Sequence, residues 1–330
     1  MGEMKVFFGI LIYMGLYRVS SQEEYWECNS TLPKHPIAQA MPLVRYQQIK
    51  RFLHVCDPLG DNGATFFFNK LEPLLSHVRA TSKQLWFPQY RVAVDEMMIL
   101  CNGRSYETVR MKNKPIGAGY KIWALCDRGY VYEYFPHSNK QPWKELENYK
   151  GTLTRHSAVV VRLVESLPRE SGKKILRYAV FMDNLFSSIK LFSMMRDKGI
   201  GCVGTTRANS AGFPKQLKVR GREHKHLEWD TIGSVVVDKV NCVAWVDNNA
   251  VLMLTTIHQV GNDHTVKRLR RRPRETSTNG RKVREVFGEN ATKVLPIPVL
   301  IDDYNRYMGS VDIADQLHAT YSTHIRAQRT

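Results

Sequence analysis

Three aspartates on separate segments of the chain carry the strongest chemical signal. Asp95, Asp183 and Asp312 lie in the settings VAVDEMMIL, YAVFMDNLFSS and YMGSVDIADQ. Carboxylates that pack together repel one another and raise each other's pKa, so such a cluster is tolerated chiefly when divalent cations lie between its members. In a chain with a formal net charge of +17, they indicate a two-metal site that acts on nucleic acid.

The overall charge points to a polyanionic partner. The chain has 48 Lys and Arg against 31 Asp and Glu, which favours nucleic acid, although a merely basic protein or one attracted to anionic lipid stays open. At 330 residues and 43% hydrophobic, the chain is long and apolar enough to bury a core. Its six cysteines contain no CxxC pair, which predicts neither a zinc site nor a disulfide framework.

An apolar run near the start, VFFGILIYMGLY at residues 6–17, raises the alternative of a secretory signal. Twelve residues are too few to span a bilayer. The preceding MGEMK has no net charge, and no small-residue cleavage site follows closely. The run is therefore predicted to form a buried helix, and no membrane partner is expected.

The elements that must position the aspartates change in character along the chain. Apolar residues at helical spacing predict helices over residues 4–57. After residue 88, YRVAVDEMMIL and YKIWALCDRGYVYEYFPH predict three antiparallel strands. LRYAVFMD then predicts a buried strand that ends at Asp183, with helices HSAVVVRLVESL and SSIKLFSMMRDKG on either side and a further strand in GCVGTTRA. This order is expected of an α/β sheet of the RNase H-like kind.

A Lys/Arg-rich stretch with strand-like pieces interrupts this pattern. SVVVDKV, CVAWVD and AVLMLTTIH predict a mostly β insertion. The fold class is therefore α/β: an RNase H-like catalytic core with a mostly β insertion domain and a helical N-terminal leader. A helical region for dimerisation or DNA binding, a first core part, the basic insertion and a shortened second core part are predicted at residues 1–88, 89–206, 207–299 and 300–330.

The insertion contains a basic run, NDHTVKRLRRRPRETSTNGRKVRE at residues 262–285, with nine Lys and Arg against three acidic residues. Such a run is either a solvated, mobile loop or a segment that contacts phosphates or directs nuclear import. The residues predicted to contact DNA are Lys267, Arg268, Arg270, Arg271, Arg272 and Arg274.

The last acidic motif holds a second carboxylate, because Asp315 follows Asp312 by three residues. On a helix this spacing places both side chains on one face. The pair would complete a metal site if that helix docked near Asp95 and Asp183. The alternative is an acidic first turn that the helix dipole favours, beginning near Gly309.

Five segments in the same order and at similar spacing resemble piggyBac-type transposases and their domesticated derivatives. They are VDEMMILCNGR, KNKPIGAGYKIWALCDRGYVYEY, MDNLFSS, GTTRANSAGFP and YNRYMGSVDIADQ, at residues 94–104, 112–134, 182–188, 204–214 and 304–316. Five ordered motifs over nearly the whole chain are far more specific than any one of them.

The resemblance implies a DDE/D core with Asp95, Asp183 and Asp312 as catalytic metal ligands and Asp315 as a fourth ligand. Two Mg²⁺ ions, or Mn²⁺, would activate a water or a DNA 3′-hydroxyl for in-line attack on phosphorus. Cleavage and strand transfer at TTAA sites follow from the family. A domesticated or truncated, catalytically inactive DNA-binding protein is the alternative.

Neighbouring polar residues have two interpretations each. Arg104, Lys114 and Lys121 lie after the first catalytic strand and either contact phosphates or form a solvated face. Asn184 either orients a metal-bound water or caps the following helix. Double-stranded DNA is the expected partner, self-association into a homodimer is left open, and the expected location is the nucleus.

One apparent cofactor motif is excluded by its context. Gly199, Gly201 and Gly204 spell GxGxxG, the dinucleotide fingerprint, which requires a strand before the glycines and a helix after them. Here the glycines follow a predicted helix and lead into a predicted strand. No small-molecule cofactor is therefore expected.

Overall fold

The protein is described by a computed structural model. It describes residues 2–27, 34–57, 67–101, 103, 105–112, 114–138, 146, 148–168, 178–218, 227–275 and 280–320. The chain divides into two compact units, residues 1–77 with 315–330 and residues 78–314. Within the described residues, no helix has the length and apolar character needed to cross a membrane.

The first unit is helical. Helices α1 to α4 span Gly2–Leu16, Ile37–Ala40, Leu43–Phe52 and Glu72–Leu85, and the last of them runs into the second unit. The apolar run at residues 6–17 lies almost entirely in α1, where Phe7, Ile10 and Met14 are buried against Tyr46. The indole of Trp26 donates to the Met41 carbonyl at 2.7 Å, which ties two segments of this core together.

The second unit begins with antiparallel strands. Strands β1 to β4 span Arg91–Leu100, Val109–Arg110, Ala118–Asp127 and Tyr130–Pro136. β3 pairs antiparallel with β1, β2 and β4. The turn from β3 to β4 has positive φ at Arg128 (50°) and Gly129 (88°), as a tight hairpin turn requires. The predicted strands about Asp127-Arg128-Gly129 are confirmed.

A helix–strand–helix–strand segment follows. Helices α5 and α6 span Arg155–Val164 and Ile189–Asp197, and strands β5 and β6 span Ala179–Met182 and Gly201–Thr205. Each helix begins at a hydroxyl cap, since Thr154 and Ser188 accept from backbone N–H groups three residues later. β5 runs parallel to both β1 and β6, and all four of its residues are buried. The predicted strand ending just before Asp183 is thus confirmed.

The strands expected in the insertion extend the same sheet. Strands β7 to β9 span Ile232–Val237, Val240–Val246 and Ala250–Thr255. β9 pairs antiparallel with β6, so the order across the sheet is β2-β3-β1-β5-β6-β9-β8-β7, with β4 beside β3. Apolar clusters lie on both faces, one including α5 and α6 and the other including Ala93, Phe181 and Val203. The fold is mixed α/β, and the four-segment division of the chain stays a prediction.

The basic run forms regular structure over much of its length. Strands β10 and β11 span Thr265–Arg271 and Thr292–Pro298 and form a separate two-stranded antiparallel sheet. Helices α7 to α9 span Gly280–Phe287, Val299–Tyr307 and Ser310–Thr320. The interpretation of residues 262–285 as a mobile loop is therefore wrong for residues 265–271, whose residues alternate between exposed and half-buried.

Candidate functional site

Two of the three predicted catalytic aspartates meet at one edge of the sheet. Val94 and Met182 are register partners in the parallel β1–β5 ladder. Asp95 is the next residue of β1, and Asp183 directly follows β5. The carboxyl ends of parallel strands are where ligands bind in open α/β sheets. The Asp95 and Asp183 pair, called here the acidic pair, lies where the β1–β5 ladder ends, at the carboxyl end of β5 and midway along β1.

Burial dominates the electrostatics of Asp95. The pKa of Asp95 is raised to about 7, chiefly by removal of the carboxyl from water, and the charge of Asp183 contributes to the rise. The backbone N–H of Glu96 donates to Asp95 Oδ1 at 2.8 Å, and this bond, with the charge of Lys114, acts in the opposite direction. Without a cation, the Asp95 carboxyl therefore titrates near neutral pH.

Asp183 shows the same conflict between burial and local donors. Burial raises the pKa of Asp183, and the charge of Glu96 adds to the rise. The backbone N–H of Leu185 donates to Asp183 Oδ1 at 2.8 Å and, with the charge of Arg207, lowers the pKa. The Leu185 bond fixes the carboxylate within the turn that leads from β5 toward α6.

The acidic pair has the donor chemistry of a divalent cation site. Mg²⁺ and Mn²⁺ prefer carboxylate oxygens, and a cation between Asp95 and Asp183 would favour the ionised form of both carboxyls and offset the effect of burial on their pKa values. The third carboxylate is not part of the pair. Asp312 is exposed on α9, and within the described ranges no group of three His, Cys, Asp or Glu residues is placed to hold a metal.

Helix α9 is nevertheless anchored near this end of the sheet. Val311 and Ala314 are buried against Met97 of β1 and against Ala124 and Cys126 of β3. Asp312 lies between these two anchors in sequence, on the solvent side. Asp315 is half-buried and follows by less than one helical turn, so α9 presents two carboxylates as the spacing predicted.

Tyr304 of α8 is a neighbour of the acidic pair that sequence reasoning missed. Burial raises the pKa of Tyr304, and the charges of Asp183 and Asp95 raise it further, whereas a hydrogen bond with Thr205 opposes the shift. The phenol is therefore a protonated group beside two carboxylates. A tyrosine at helical spacing among apolar residues reads as ordinary core, so its type alone carried no signal.

An ion pair and a histidine–carboxylate contact fix α8 at this position. Arg268 donates through Nε and Nη2 to the two carboxylate oxygens of Asp302, both at 2.6 Å. His258 Nε2 lies 3.0 Å from Asp303 Oδ2. Because Asp302 and Asp303 immediately precede Tyr304, these contacts help to fix the turn of α8 that carries the tyrosine.

Arg207 is a second neighbour that the sequence did not single out. Its Nε donates to Asn184 Oδ1 at 2.8 Å, and its charge lowers the pKa of Asp183. Asn184 therefore orients an arginine beside the site. The interpretation of Asn184 as the helix cap is wrong, because Ser188 caps α6.

The predicted phosphate contacts after β1 have different fates. Lys121 Nζ lies 2.6 Å from Glu96 Oε2 and 4.2 Å from the ring centre of Trp123, and its side chain is only 13% exposed. Lys121 is thus an internal ion-pair residue, which neither of its two interpretations anticipated. Lys114 is half-buried and close enough to lower the pKa of Asp95. Arg104 lies outside the described residues.

Two arginines of the basic run are engaged inside the protein. Arg268 binds Asp302 through two hydrogen bonds, and Arg270 binds both oxygens of Asp247 at 2.9 and 2.6 Å. Both acidic partners are largely buried, with side-chain exposures of 14% and 17%. These arginines therefore neutralise internal carboxylates, and phosphate contact by either of them stays a prediction.

The remaining members of the run face outward to different degrees. Lys267 and Arg271 are exposed on the opposite side of β10. Arg274 is also exposed, and Arg272 donates to the Gly288 carbonyl at 2.9 Å while staying half-buried. Phosphate contact stays a prediction for these four residues.

Comparison with known proteins identifies the chain. Its residues 1–330 match the family model described as Transposase IS4. Human PiggyBac transposable element-derived proteins 2 and 3 are 26% and 27% identical to it over 333 aligned residues, covering 99% of this chain. The chain belongs to the piggyBac transposase family. The family resemblance carried by its five ordered motifs is thereby confirmed. The piggyBac-family chain spans about half of these relatives, 51% of each.

A solved structure supports the fold of this family member. The cryo-electron microscopy structure of a piggyBac transposase synaptic complex with hairpin DNA matches 99% of the chain and 61% of its own length, with a TM-score of 0.70. The sequence identity is 19%, so this likeness bears on the fold alone.

Proposed function

We propose that the chain forms a DNA transposase core, equipped for divalent-metal-dependent cleavage and strand transfer. The observation that carries the proposal is the acidic pair, two partly buried carboxylates where the parallel β1–β5 ladder ends, of which Asp183 raises the pKa of Asp95. Membership of a transposase family and a net charge of +17 support DNA as the substrate.

The strand order supports an RNase H-like core. β4, β3 and β1 are antiparallel neighbours, and β1 continues into the parallel strands β5 and β6. This is the order that the sequence pattern predicted for such a fold. The extension through β9, β8 and β7 is then an addition to the core at the far side of β6.

The metal ligands follow from this placement. Transposases of the DDE class generally use a divalent metal, and Asp95 and Asp183 would hold it here, with Asp312 and Asp315 of α9 as the further ligands. Bound Mg²⁺ or Mn²⁺ supplies charge stabilisation for the oxygens that exchange at phosphorus.

The protein's own groups prepare the acidic pair for that task. Backbone donors at Glu96 and Leu185 fix one oxygen of each carboxylate, which leaves the second oxygen of each for a ligand. Arg207, oriented by Asn184, places a cation beside Asp183, where a phosphodiester would need one. Tyr304 closes the side of the site formed by α8.

The proposal extends to partners and location. The matched solved structure is a synaptic complex with hairpin DNA, which supports DNA as a partner of this chain. Self-association into a homodimer stays open. Cleavage at TTAA sites and residence in the nucleus complete the proposal, and both rest on the family and on the basic run.

The direct test is nicking and strand transfer on duplex DNA containing TTAA, with Mg²⁺ or Mn²⁺. Asp183→Asn should reduce cleavage by more than about 100-fold, because it removes a metal ligand without changing the side-chain volume. Asp263→Asn is the matched control, since Asp263 is exposed and outside the site. Equal cleavage by the wild type and Asp183→Asn would refute the assignment.

A DNA-binding protein without catalysis is the second candidate. It is favoured by the placement of Asp312, which is exposed and not gathered with the acidic pair in the described part of the chain. On this reading the wild type binds duplex DNA and neither nicks it nor joins it with either metal.

A further inference from the structure

Successive residues of the two-stranded sheet formed by β10 and β11 lie on opposite faces. On one face, Leu269 of β10 is the register partner of Val294 of β11, and Arg271 is the partner of Thr292. Lys267 lies on the same face, two residues before Leu269. All five residues are exposed, and they are called here the ribbon face.

The opposite face is fixed within the protein. Arg268 and Arg270 bind Asp302 and Asp247, while Leu295 and Ile297 of β11 are buried. The ribbon is thus held by two-point ion pairs and by apolar packing. Its outward face is consequently presented on a supported element.

The ribbon face has an unusual composition for a solvated surface. Leu269 is 69% exposed and Val294 is 56% exposed, so an apolar cross-strand pair lies open. The cations Lys267 and Arg271 lie on either side of Leu269 along β10, and the face has no acidic residue. Among the described contacts, neither cation has a side-chain partner in the protein.

The dimensions of this face fit a DNA groove. Four residues of extended strand separate Lys267 from Arg271, which is roughly 13 Å at about 3.3 Å per residue. The major groove is about 12 Å wide and admits a two-stranded β-ribbon. Cations at this spacing can contact phosphates on both walls, and an apolar pair between them can contact thymine methyl groups.

We propose that the β10–β11 ribbon lies in the major groove of duplex DNA, with Lys267 and Arg271 on the flanking phosphates and Leu269 and Val294 on the base edges. The proposal rests on the proposed function for its choice of DNA. The positive charge of the ribbon face favours a polyanionic partner. It assigns binding, not catalysis, to this surface.

The experiment measures binding of the 330-residue chain to a short fluorescent duplex by anisotropy, in EDTA and over a range of salt concentrations. The charge-removal variant is Lys267→Gln with Arg271→Gln. The matched control is Lys190→Gln with Lys215→Gln, which removes two exposed cations from elsewhere on the same unit. Circular dichroism melting confirms that every variant is folded.

Removal of two phosphate contacts should flatten the slope of log affinity against log salt by about 2 and weaken binding on the order of tenfold near physiological salt. Leu269→Ala should weaken binding several-fold with an unchanged salt slope, because it removes a base contact and no charge. The control variant should keep the wild-type slope.

Two outcomes would overturn the proposal. One is a charge-removal variant whose slope of log affinity against log salt equals that of the wild type, or whose loss of DNA affinity equals that of the control variant. The other is unchanged DNA affinity in Leu269→Ala together with dissociation of a dimer in sedimentation, which would make a second copy the occupant of the face. Binding is measured in EDTA, where metal-dependent cleavage cannot occur. A failed cleavage test would therefore not change the interpretation of the binding measurement.

Discussion

The hydroxyl of Tyr304 lies beside Thr205, so α8 meets the end of β6 next to the acidic pair. Asp95, Asp183 and Thr205 lie on, or directly after, three adjacent parallel strands, and Tyr304 lies beside all three. The site is therefore a product of sheet order combined with the docking of one helix.

Tyr304→Phe should lower the free energy of unfolding by up to about 1 kcal/mol, because the half-buried hydroxyl loses its polar interaction with Thr205. It should also weaken metal-dependent cleavage if the tyrosine positions the acidic pair. Tyr307→Phe is the control, since that ring keeps its contacts with Phe181 and Arg91. Denaturant melts and single-turnover cleavage provide the two measurements, and equal behaviour of the two variants would contradict the positioning role.

Asp95 should make stability depend on pH in metal-free buffer. Its folded-state pKa, about 7, is above the ordinary value of 3.8. The folded protein therefore holds the proton more tightly than the unfolded chain. The contribution of Asp95 to the free energy of unfolding is fully present below about pH 4. It is lost as the pH rises toward and through 7, by up to a few kcal/mol.

Asp95→Asn removes this titration, so its stability relative to the wild type should rise between pH 4 and pH 8. Urea melts in EDTA at several pH values would measure the difference. A constant difference across that range would show that Asp95 ionises normally in the folded protein.

Mg²⁺ should stabilise the wild type more than its acidic-pair variants. A ligand that binds only the folded state raises stability by RT ln(1 + [L]/Kd), about 2.7 kcal/mol at a hundredfold excess over Kd. Thermal melts with and without Mg²⁺ should show the rise in the wild type and in Asp263→Asn but not in Asp183→Asn. A rise of equal size in Asp183→Asn would place the metal elsewhere.

Arg270 and Arg271 lie on opposite faces of β10, so substitutions at these two positions should change stability by different amounts. Arg270→Gln should destabilise the protein by roughly 1–3 kcal/mol, because it leaves the largely buried Asp247 carboxylate without its cation. Arg271→Gln should change stability by less than about 0.5 kcal/mol, as is usual for exposed positions. Chemical denaturation of the two variants side by side is the measurement, and similar losses would contradict the assigned orientations.

Local sequence patterns were sufficient to predict the strands that position two of the aspartates. Alternating and buried apolar runs set β1 and β5, and the strand that ends at Asp183 ends there in the structure. The side-by-side position of Asp95 and Asp183 depends in addition on the parallel pairing of β1 with β5 and on its register, with Val94 opposite Met182. Local patterns do not specify that pairing.

Features that depend on tertiary partners could not be predicted in the same way. The pairing of Lys121 with Glu96 joins neighbouring strands whose register is not visible in composition. The basic run looked uniform because its charges are consecutive, whereas pairing with β11 gives it two faces. The position of Asp312 depends on how α9 docks, which helical spacing does not specify.

Strand alternation in β10 also bears on how changes in the gene would be tolerated. A deletion or insertion of one residue before Lys267 would shift the strand by one position against β11 and exchange its two faces. The cations that now neutralise Asp247 and Asp302 would turn to solvent, and Leu269 would turn inward. Single-residue length variation in this strand should therefore be rare in working copies, whereas exchanges of Lys for Arg on the open face should be common.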